Sequence, residues 1–232
     1  MTNIGFRIYA KIRRAAPELV KLFAGLPVSN IADNMNRIAC PEHGLIPLNS
    51  SPLLGTAFTV RCPGGDNLML HKALDIAEPG DVIVMSPEGE SNRALCGEIM
   101  LTYALKRGLA GVVVDGAVRD IEAIRQMQFP VYARSVQANG PYKNGPGEIN
   151  GPVSIGGAIV YPGDIIVGDG DGLVAVRPAE AVDLAEKVVK TMKIENESLT
   201  AIETGTWDRG WIDSMLSDLG CQMLPTAWDD CE

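Results

Sequence analysis

Residues 97–120 read GEIMLTYALKRGLAGVVVDGAVRD, and this stretch decides the fold prediction. Its first half predicts a helix, because its apolar residues recur at three- and four-residue steps and Gly108 supplies a stop. Those residues are Leu101, Ala104, Leu105 and Leu109. The next apolar run, residues 112–114, is short and continuous, as in a strand that is buried on both faces. We expect Asp115 and Gly116 to turn the chain after this strand.

A candidate site follows from this order of elements. Arg119 and Asp120 should emerge at the carboxyl end of the strand, the edge at which open α/β sheets bind ligands. The helix that Gly97 opens offers free N–H groups to an anion, Arg119 offers a bidentate fork, and Asp120 can hold a divalent cation. Together they suit a small 2-oxo acid bound with a metal. The alternative is a structural Arg-Asp ion pair at the start of a helix.

Composition limits the classes of function. The chain has 232 residues with 46% hydrophobic but only 5% aromatic residues, which predicts an aliphatic α/β core. Its net charge of -9 argues against a nucleic-acid partner. No apolar run has the length of a membrane span, and the N-terminus lacks an apolar signal core, so we expect a cytoplasmic protein without a membrane partner. Five scattered cysteines, an odd number, indicate reduced thiols, some of them in the core, and Cys96 is not expected to take part in chemistry because no partner base is marked.

The remaining segments predict alternating elements. Residues 6–24 alternate basic and apolar positions, which favours a surface helix, and a second helix near Ile31 would begin at a Ser29 cap. We expect a strand over 55–61, a helix over 67–77, mainly strands over 130–176 and a long helix over 179–203. The tail, with Trp207, Trp211, Ile212, Leu216 and Leu219 at helical steps, predicts a last helix.

One phrase occurs twice, PGDVIV at 79–84 and PGDIIV at 162–167. Each copy predicts a Pro-Gly turn, an exposed aspartate and a buried strand, and two copies indicate similar strand entries in one sheet system. GDGDG at 168–172 leads into a strand, so it is expected to be a tight turn instead of a dinucleotide or calcium loop. Neither His43 nor His71 belongs to a zinc motif, and His71 and Lys143 are interpreted as structural and loop residues.

With these motifs the chain resembles the RraA-like family, in particular its 4-hydroxy-4-methyl-2-oxoglutarate / 4-carboxy-4-hydroxy-2-oxoadipate aldolases. The resemblance is carried by GGDNLMLHKAL (64–74), PGDVIVM (79–85), residues 97–120, FPVYAR (129–134) and PGDIIVGDGDGLVAV (162–176). It implies a three-layer β/β/α swivelling-type fold over 1–190 that assembles into a trimer or hexamer with sites between subunits. The apolar stripe of the helical tail over 191–232 is expected to pack on another subunit, and docking on its own domain is the alternative.

The resemblance also implies roles for residues. The N–H groups of Gly97, Glu98, Ile99 and Met100 and the Arg119 guanidinium would bind the pyruvate carboxylate. Asp120 would hold Mg²⁺ or Mn²⁺ through waters, steadied by Glu195, or else Glu197, of a neighbouring subunit. Glu98 would position a water for proton transfer, although the aldolases usually carry aspartate at this position.

The implied activity is release of pyruvate through a metal-stabilised enolate, by aldol cleavage of 4-hydroxy-2-oxo diacids, by decarboxylation of oxaloacetate, or by both. Because Glu98 is one methylene longer than aspartate, the aldol cleavage is the less secure of the two. The alternative from another class is a non-catalytic regulator that binds and inhibits an RNA-degrading enzyme.

Overall fold

The computed structural model describes residues 3–38, 40–41, 44–89 and 92–227. Its strands are β1 (Phe6–Ile8), β2 (Ile46–Pro47), β3 (Leu53–Pro63), β4 (Asp81–Glu88), β5 (Ala94–Cys96), β6 (Gly111–Val118), β7 (Val131–Val136), β8 (Gly147–Ile149), β9 (Val153–Ile155), β10 (Ala158–Val160), β11 (Ile165–Asp169) and β12 (Gly172–Val176). Its helices are α1 (Pro17–Lys21), α2 (Val28–Asn34), α3 (Leu68–Ile76), α4 (Glu98–Lys106), α5 (Ile121–Gln126), α6 (Ala181–Glu203) and α7 (Gly210–Asp218).

The centre of the fold is a parallel run of strands. β3 pairs with β4, β4 with β6 and β6 with β7, all in parallel. Helices α3, α4 and α5 lie between successive strands of this run, so each strand returns through a helical crossover. At the sides of the run, β8 and β11 pair antiparallel with β3, and β2 pairs antiparallel with β7.

Both faces of the central sheet are buried. Successive side chains of a strand point to opposite faces, so one strand contributes to two separate cores. On β4, Ile83 and Met85 belong to a core that includes Leu70 of α3 and Leu101 of α4. Val82 and Val84 point into a second core, which includes Val153, Ile155 and Val160 from the β9–β10 hairpin. Helices therefore cover one face and a small antiparallel sheet the other, and the α/β fold prediction is confirmed.

Three local predictions are wrong. Residues 6–24 do not form one helix: Phe6–Ile8 is a strand parallel to β8, and helix α1 begins only at Pro17. Helix α2 begins at Val28 after Pro27, so Ser29 lies inside it and does not cap it. Asp115 and Gly116 do not turn the chain either, since they belong to β6 at a register shift between Val114 and Ala117.

The two PGD phrases do precede strands of one sheet, but their aspartates are buried and not exposed. Asp81 is 0% exposed and Asp164 is 1% exposed. Each carboxylate accepts the backbone N–H three residues earlier and pairs with an arginine, Arg14 for Asp81 and Arg177 for Asp164. The predicted turn at 168–172 is present as the tight connection between β11 and β12.

The chain divides into two compact units, Met1–Val189 and Lys190–Glu232. The second unit includes the later part of α6 and helix α7, and ten large apolar side chains in its described part are exposed. These are Ile194, Leu199, Ile202, Trp207, Trp211, Met215, Leu216, Leu219, Met223 and Leu224. Among the described helices, none combines the length and the apolar character that crossing a membrane requires.

Candidate active site

Strands β5 and β6 bring the two halves of the predicted site together. They are parallel neighbours, with Cys96 opposite Val118 at their carboxyl ends. The chain leaves β5 through Gly97 into helix α4, and it leaves β6 through Arg119 and Asp120. The backbone N–H of Arg119 donates to the Cys96 carbonyl at 3.0 Å, which fixes the two exits side by side.

Asp120 reaches the start of helix α4. Its Oδ2 accepts the backbone N–H of Glu98 at 3.0 Å and lies 3.7 Å from the Arg119 Nε. Asp120 has a φ of +62°, a left-handed conformation that is uncommon for a residue other than glycine. Helix geometry leaves the N–H groups of Ile99 and Met100 without a carbonyl in their own helix, so both can donate to an anion.

Gly97 allows this close approach. A Cβ atom at position 97 would lie 2.3 Å from the Asp120 Oδ2 and 2.8 Å from the Arg119 Cγ. The φ of Gly97 is -157°, extended backbone that any residue adopts, so the requirement for glycine comes from the neighbouring side chains and not from the backbone.

These groups line one cleft with a volume of about 160 Å³. Its wall consists of Asn67, His71, Ala94, Leu95, Cys96, Gly97, Ile99, Met100, Arg119, Asp120, Pro141 and Lys143. The Arg119 and Asp120 side chains are 46% and 41% exposed, which leaves both accessible to a ligand in the cleft.

The sequence interpretation missed three polar residues of this wall. Asn67 stands at the start of α3, His71 lies one turn further along that helix, and Lys143 comes from the segment before β8. Burial, and then the charge of Lys143, lower the pKa of His71 below its ordinary value and so disfavour its charged form. The cleft wall also contains two residues with cationic side chains, Lys143 and Arg119. In the sequence, only the polar segment GGDN (64–67) before α3 could have indicated that Asn67 belongs to the site.

Hydrogen bonds hold the segment with Lys143 against the start of α3. Oδ2 of Asp66 accepts the Gly145 N–H at 3.1 Å, and the Asn67 N–H donates to the Tyr142 carbonyl at 3.0 Å. The Arg93 guanidinium stacks on the Tyr142 ring, 4.0 Å from its centroid. Lys143 is thus carried by a fixed wall of the cleft.

Other predicted site residues are not in this cleft. The Glu98 side chain is exposed and does not belong to its wall. Glu195 and Glu197 lie on α6 in the second unit, where Glu197 is 4.0 Å from Lys193. Within the described ranges, no group of three or more His, Cys, Asp or Glu side chains could hold a metal ion. His43 lies outside the described residues.

The residues present nevertheless fit a hydrated divalent cation. Mg²⁺ usually keeps several waters and takes only one or two protein carboxylates together with oxygens of the substrate. The partly exposed Asp120 carboxylate would supply one such ligand, and its cleft leaves room for a substrate. Cys96 is not a candidate ligand or nucleophile, because burial raises the pKa of its thiol to about 12.

Comparison with known proteins places this geometry in context. The "Putative 4-hydroxy-4-methyl-2-oxoglutarate aldolase" of Halalkalibacterium halodurans is 34% identical over 205 residues, which cover 88% of this chain and 98% of that protein. RraAS2 of Streptomyces coelicolor, described as an unusual member of the RNase ES inhibitor RraA protein family, superposes with a TM-score of 0.73 at 25% identity. That match covers 81% of this chain and 98% of the other.

A second solved structure is the RNA-processing inhibitor RraA from Thermus thermophilis, with a TM-score of 0.59 and 29% identity over 65% of this chain and 92% of that one. The model of the RraA-like family, described as Aldolase/RraA, matches residues 28–175, which include every residue of the cleft wall. On this match and the extended similarity to the Halalkalibacterium protein, the chain belongs to the RraA-like family.

Proposed function

We propose that this protein is a divalent-metal-dependent lyase that releases pyruvate from 2-oxo diacids. The observation that carries the proposal is the convergence of the α4 N-terminus, the Arg119 guanidinium and the Asp120 carboxylate on one cleft. The name of the Halalkalibacterium relative supports the same chemistry. The substrates we propose are 4-hydroxy-2-oxo acids with two or three carboxyl groups, such as 4-hydroxy-4-methyl-2-oxoglutarate and 4-carboxy-4-hydroxy-2-oxoadipate, and oxaloacetate.

Each end of a diacid finds a cationic group in the cleft. The carboxylate next to the 2-keto group would accept hydrogen bonds from Arg119 and from the N–H groups of Ile99 and Met100. Lys143, on another part of the same wall, would attract the distal carboxylate. The planar guanidinium of Arg119 and the ammonium group of Lys143 would thus orient the substrate and determine which carbon–carbon bond lies near Asp120.

The bond cleavage needs stabilisation of negative charge. In the aldol reaction the C4 hydroxyl loses its proton, the C3–C4 bond breaks, and its electron pair leaves on the pyruvate enolate. A Mg²⁺ or Mn²⁺ ion bound at Asp120 would supply positive charge for this enolate. Arg119 stabilises the same charge from the side of the carboxylate. We propose that Glu98 holds the water that takes the hydroxyl proton, and that a water returns a proton to C3.

Residues of the second unit complete the proposed site in an assembly. We propose a trimer or hexamer in which Glu195, or else Glu197, reaches the site of a neighbouring copy and orders waters near Asp120. The cleft of one chain offers the ion a single carboxylate, that of Asp120. A site shared between two copies would add a second carboxylate.

A coupled assay of pyruvate release tests the proposal. Oxaloacetate, 4-hydroxy-4-methyl-2-oxoglutarate and 4-carboxy-4-hydroxy-2-oxoadipate are each supplied with Mg²⁺, with Mn²⁺ and with a chelator. Arg119→Lys should lose most activity, because an ammonium group cannot form the two parallel hydrogen bonds that a guanidinium forms with a carboxylate. Asp120→Asn keeps an oxygen for the Glu98 N–H but removes the charge that holds the cation. Near wild-type, metal-dependent pyruvate release by either variant would refute the assignment.

A second candidate function is regulation without catalysis. The descriptions of the Streptomyces and Thermus structures as RNase and RNA-processing inhibitors favour it. In that case the chain would bind an RNA-degrading enzyme through an exposed surface, and the cleft would not be needed. Binding to a purified RNase E-type enzyme that Arg119→Lys leaves unchanged, without release of pyruvate under any metal condition, would select this function.

A further inference from the structure

We propose that Asn67 selects substrates with a hydroxyl group beside the bond that breaks. This inference deepens the proposed function and rests on it for the identity of the substrate. Asn67 lies in the wall of the same cleft as Arg119 and Asp120, and it is only 2% exposed. Its backbone N–H donates to Tyr142, so the residue is fixed at both its main chain and its side chain.

The hydrogen bonds of Asn67 determine which way its amide faces. Nδ2 donates to the Leu95 carbonyl at 2.8 Å and lies 3.4 Å from the Met100 sulfur. A carbonyl oxygen accepts only from a donor, so the nitrogen must face Leu95 and Oδ1 must occupy the opposite position. Oδ1 is buried and receives no hydrogen bond from the described part of the chain.

A buried amide oxygen without a donor is rare, because its lost hydration is not replaced. Asn67 belongs to the wall of the cleft, so a small shift of this wall on binding would let the ligand supply the missing hydrogen bond. Carboxylate and keto oxygens cannot do so, since they only accept. The C4 hydroxyl of a 4-hydroxy-2-oxo diacid is a donor, and oxaloacetate in its keto form has none. Asn67 therefore distinguishes the two proposed substrate classes.

The Oδ1 atom would orient the hydroxyl group by accepting its hydrogen bond before cleavage. Asn67 is neutral and does not take the proton, so it acts as a specificity-determining residue and leaves proton transfer to the water at Glu98. The alternative donor is a water that stays in place with every substrate. In that case the cleft would show no preference for a hydroxyl group.

Two ligands that differ only in the hydroxyl group test this inference. The affinities of 4-hydroxy-2-oxoglutarate and 2-oxoglutarate are compared in the presence of Mg²⁺ on the full-length protein. They are measured as inhibition constants against oxaloacetate consumption where pyruvate is released, and as Kd by calorimetry where it is not. We expect the hydroxylated compound to bind about 10- to 100-fold more tightly, the range for a hydrogen bond that satisfies a buried acceptor.

Variants then assign this preference to one atom. Asn67→Leu, similar in volume but without polar atoms, should abolish the preference and lower kcat/KM for 4-hydroxy substrates by about 10- to 100-fold more than for oxaloacetate. Asn67→Asp keeps the acceptor for the hydroxyl group but loses the donor to the Leu95 carbonyl, so it should keep the preference while both substrates are turned over more slowly. Asn49→Leu is the control, because the Asn49 amide nitrogen also donates to the backbone, to the Ile124 and Phe129 carbonyls, but its oxygen already accepts the Ser51 N–H.

Each outcome decides the inference. Equal affinities for the two ligands in the wild type, or a folded Asn67→Leu variant that loses both substrates equally, would overturn it. If no substrate releases pyruvate, the proposed lyase function fails, but the affinity ratio still shows whether Asn67 recognises a hydroxyl group. Should Asn67→Leu not fold, the wild-type ratio together with Asn67→Asp decides.

Discussion

At the residue scale, Gly97 is the position at which the smallest change should have the largest effect on activity. The carboxylate of Asp120 fills the space that a methyl group at position 97 would occupy, only 2.3 Å from its Oδ2. Gly97→Ala should therefore displace Asp120 and Arg119 together. Because a misplacement near 1 Å can cost about 100-fold, we expect kcat/KM for pyruvate release to fall by about that factor.

The matched control for Gly97→Ala is Gly170→Ala in the β11–β12 turn. A Cβ atom at position 170 has no neighbour within 4 Å. This variant should keep both its activity and its melting temperature. If Gly97→Ala retained wild-type kcat/KM, the close packing of Asp120 against the start of α4 would be irrelevant to function.

Cys96, next to Gly97, should be chemically inert in the folded protein. Burial raises the pKa of its thiol to about 12, so the reactive thiolate is scarce near neutral pH. Iodoacetamide should modify Cys96 only after unfolding, whereas the exposed Cys221 should react in the native protein. Peptide mass spectrometry after a short labelling pulse measures both, and rapid native labelling of Cys96 would contradict its burial.

At the scale of elements, the two PGD turns are stabilised by the same arrangement. Asp81 accepts the Glu78 N–H at 2.8 Å, and Asp164 accepts the Tyr161 N–H at 2.9 Å. Arg14 forms two hydrogen bonds with Asp81, through Nε and Nη2. Each aspartate thus closes its own turn and ties it to an arginine elsewhere in the chain, at the point where a strand of the large sheet begins.

Removing one of these carboxylates should destabilise the fold. Asp81→Ala leaves Arg14 without a buried partner, and we expect the free energy of unfolding to fall by about 3 kcal/mol in urea titrations. Glu122→Ala is the comparison, because the Glu122–Arg125 pair is on the surface, with side chains 81% and 61% exposed. It should change the free energy of unfolding by less than about 1 kcal/mol. Equal effects of the two substitutions would show that burial of Asp81 contributes little.

Local sequence patterns predicted the elements that depend on local signals. The apolar steps of α4, the VVV run of β6 and the Gly108 stop all have local causes, and Gly108 indeed adopts a φ of +75°. Strand β1 was missed because its pairing with β8 is made across more than one hundred residues of chain. For the same reason Asp81 was predicted to be exposed, since no local signal shows that Arg14 covers it.

The candidate site likewise has one part that the sequence predicted and another that it did not. Residues 97–100 and 119–120 could be placed together because one helix and one strand join them, and parallel neighbours end at the same sheet edge. Asn67, His71 and Lys143 come from other elements and meet them only through the packing of α3 and of the segment around Tyr142. Their positions depend on tertiary contacts, which the periodicity of a single segment does not contain.

At the scale of the whole molecule, our proposal that Glu195 or Glu197 serves a neighbouring copy means that the site would need two copies of the chain. The cleft residues lie in the unit Met1–Val189, whereas Glu195 and Glu197 lie in Lys190–Glu232. If Glu195 of one copy serves the Asp120 of another, two inactive variants can complement each other in a mixed assembly. Arg119→Lys damages the cleft of its own copy, and Glu195→Ala damages only the site to which its tail contributes.

The complementation is measured after equal amounts of Arg119→Lys and Glu195→Ala are unfolded, mixed and refolded together. Random assembly gives about one site in four with both native groups, so about a quarter of the wild-type rate of pyruvate release should return. Refolding each variant alone should restore nothing, and refolding Arg119→Lys with Asp120→Asn is the control, because both of those changes fall in one cleft. Glu197→Ala replaces Glu195→Ala if the latter is active alone. Mixtures that stay as inactive as their parents would show that the site of each copy is complete without its neighbour.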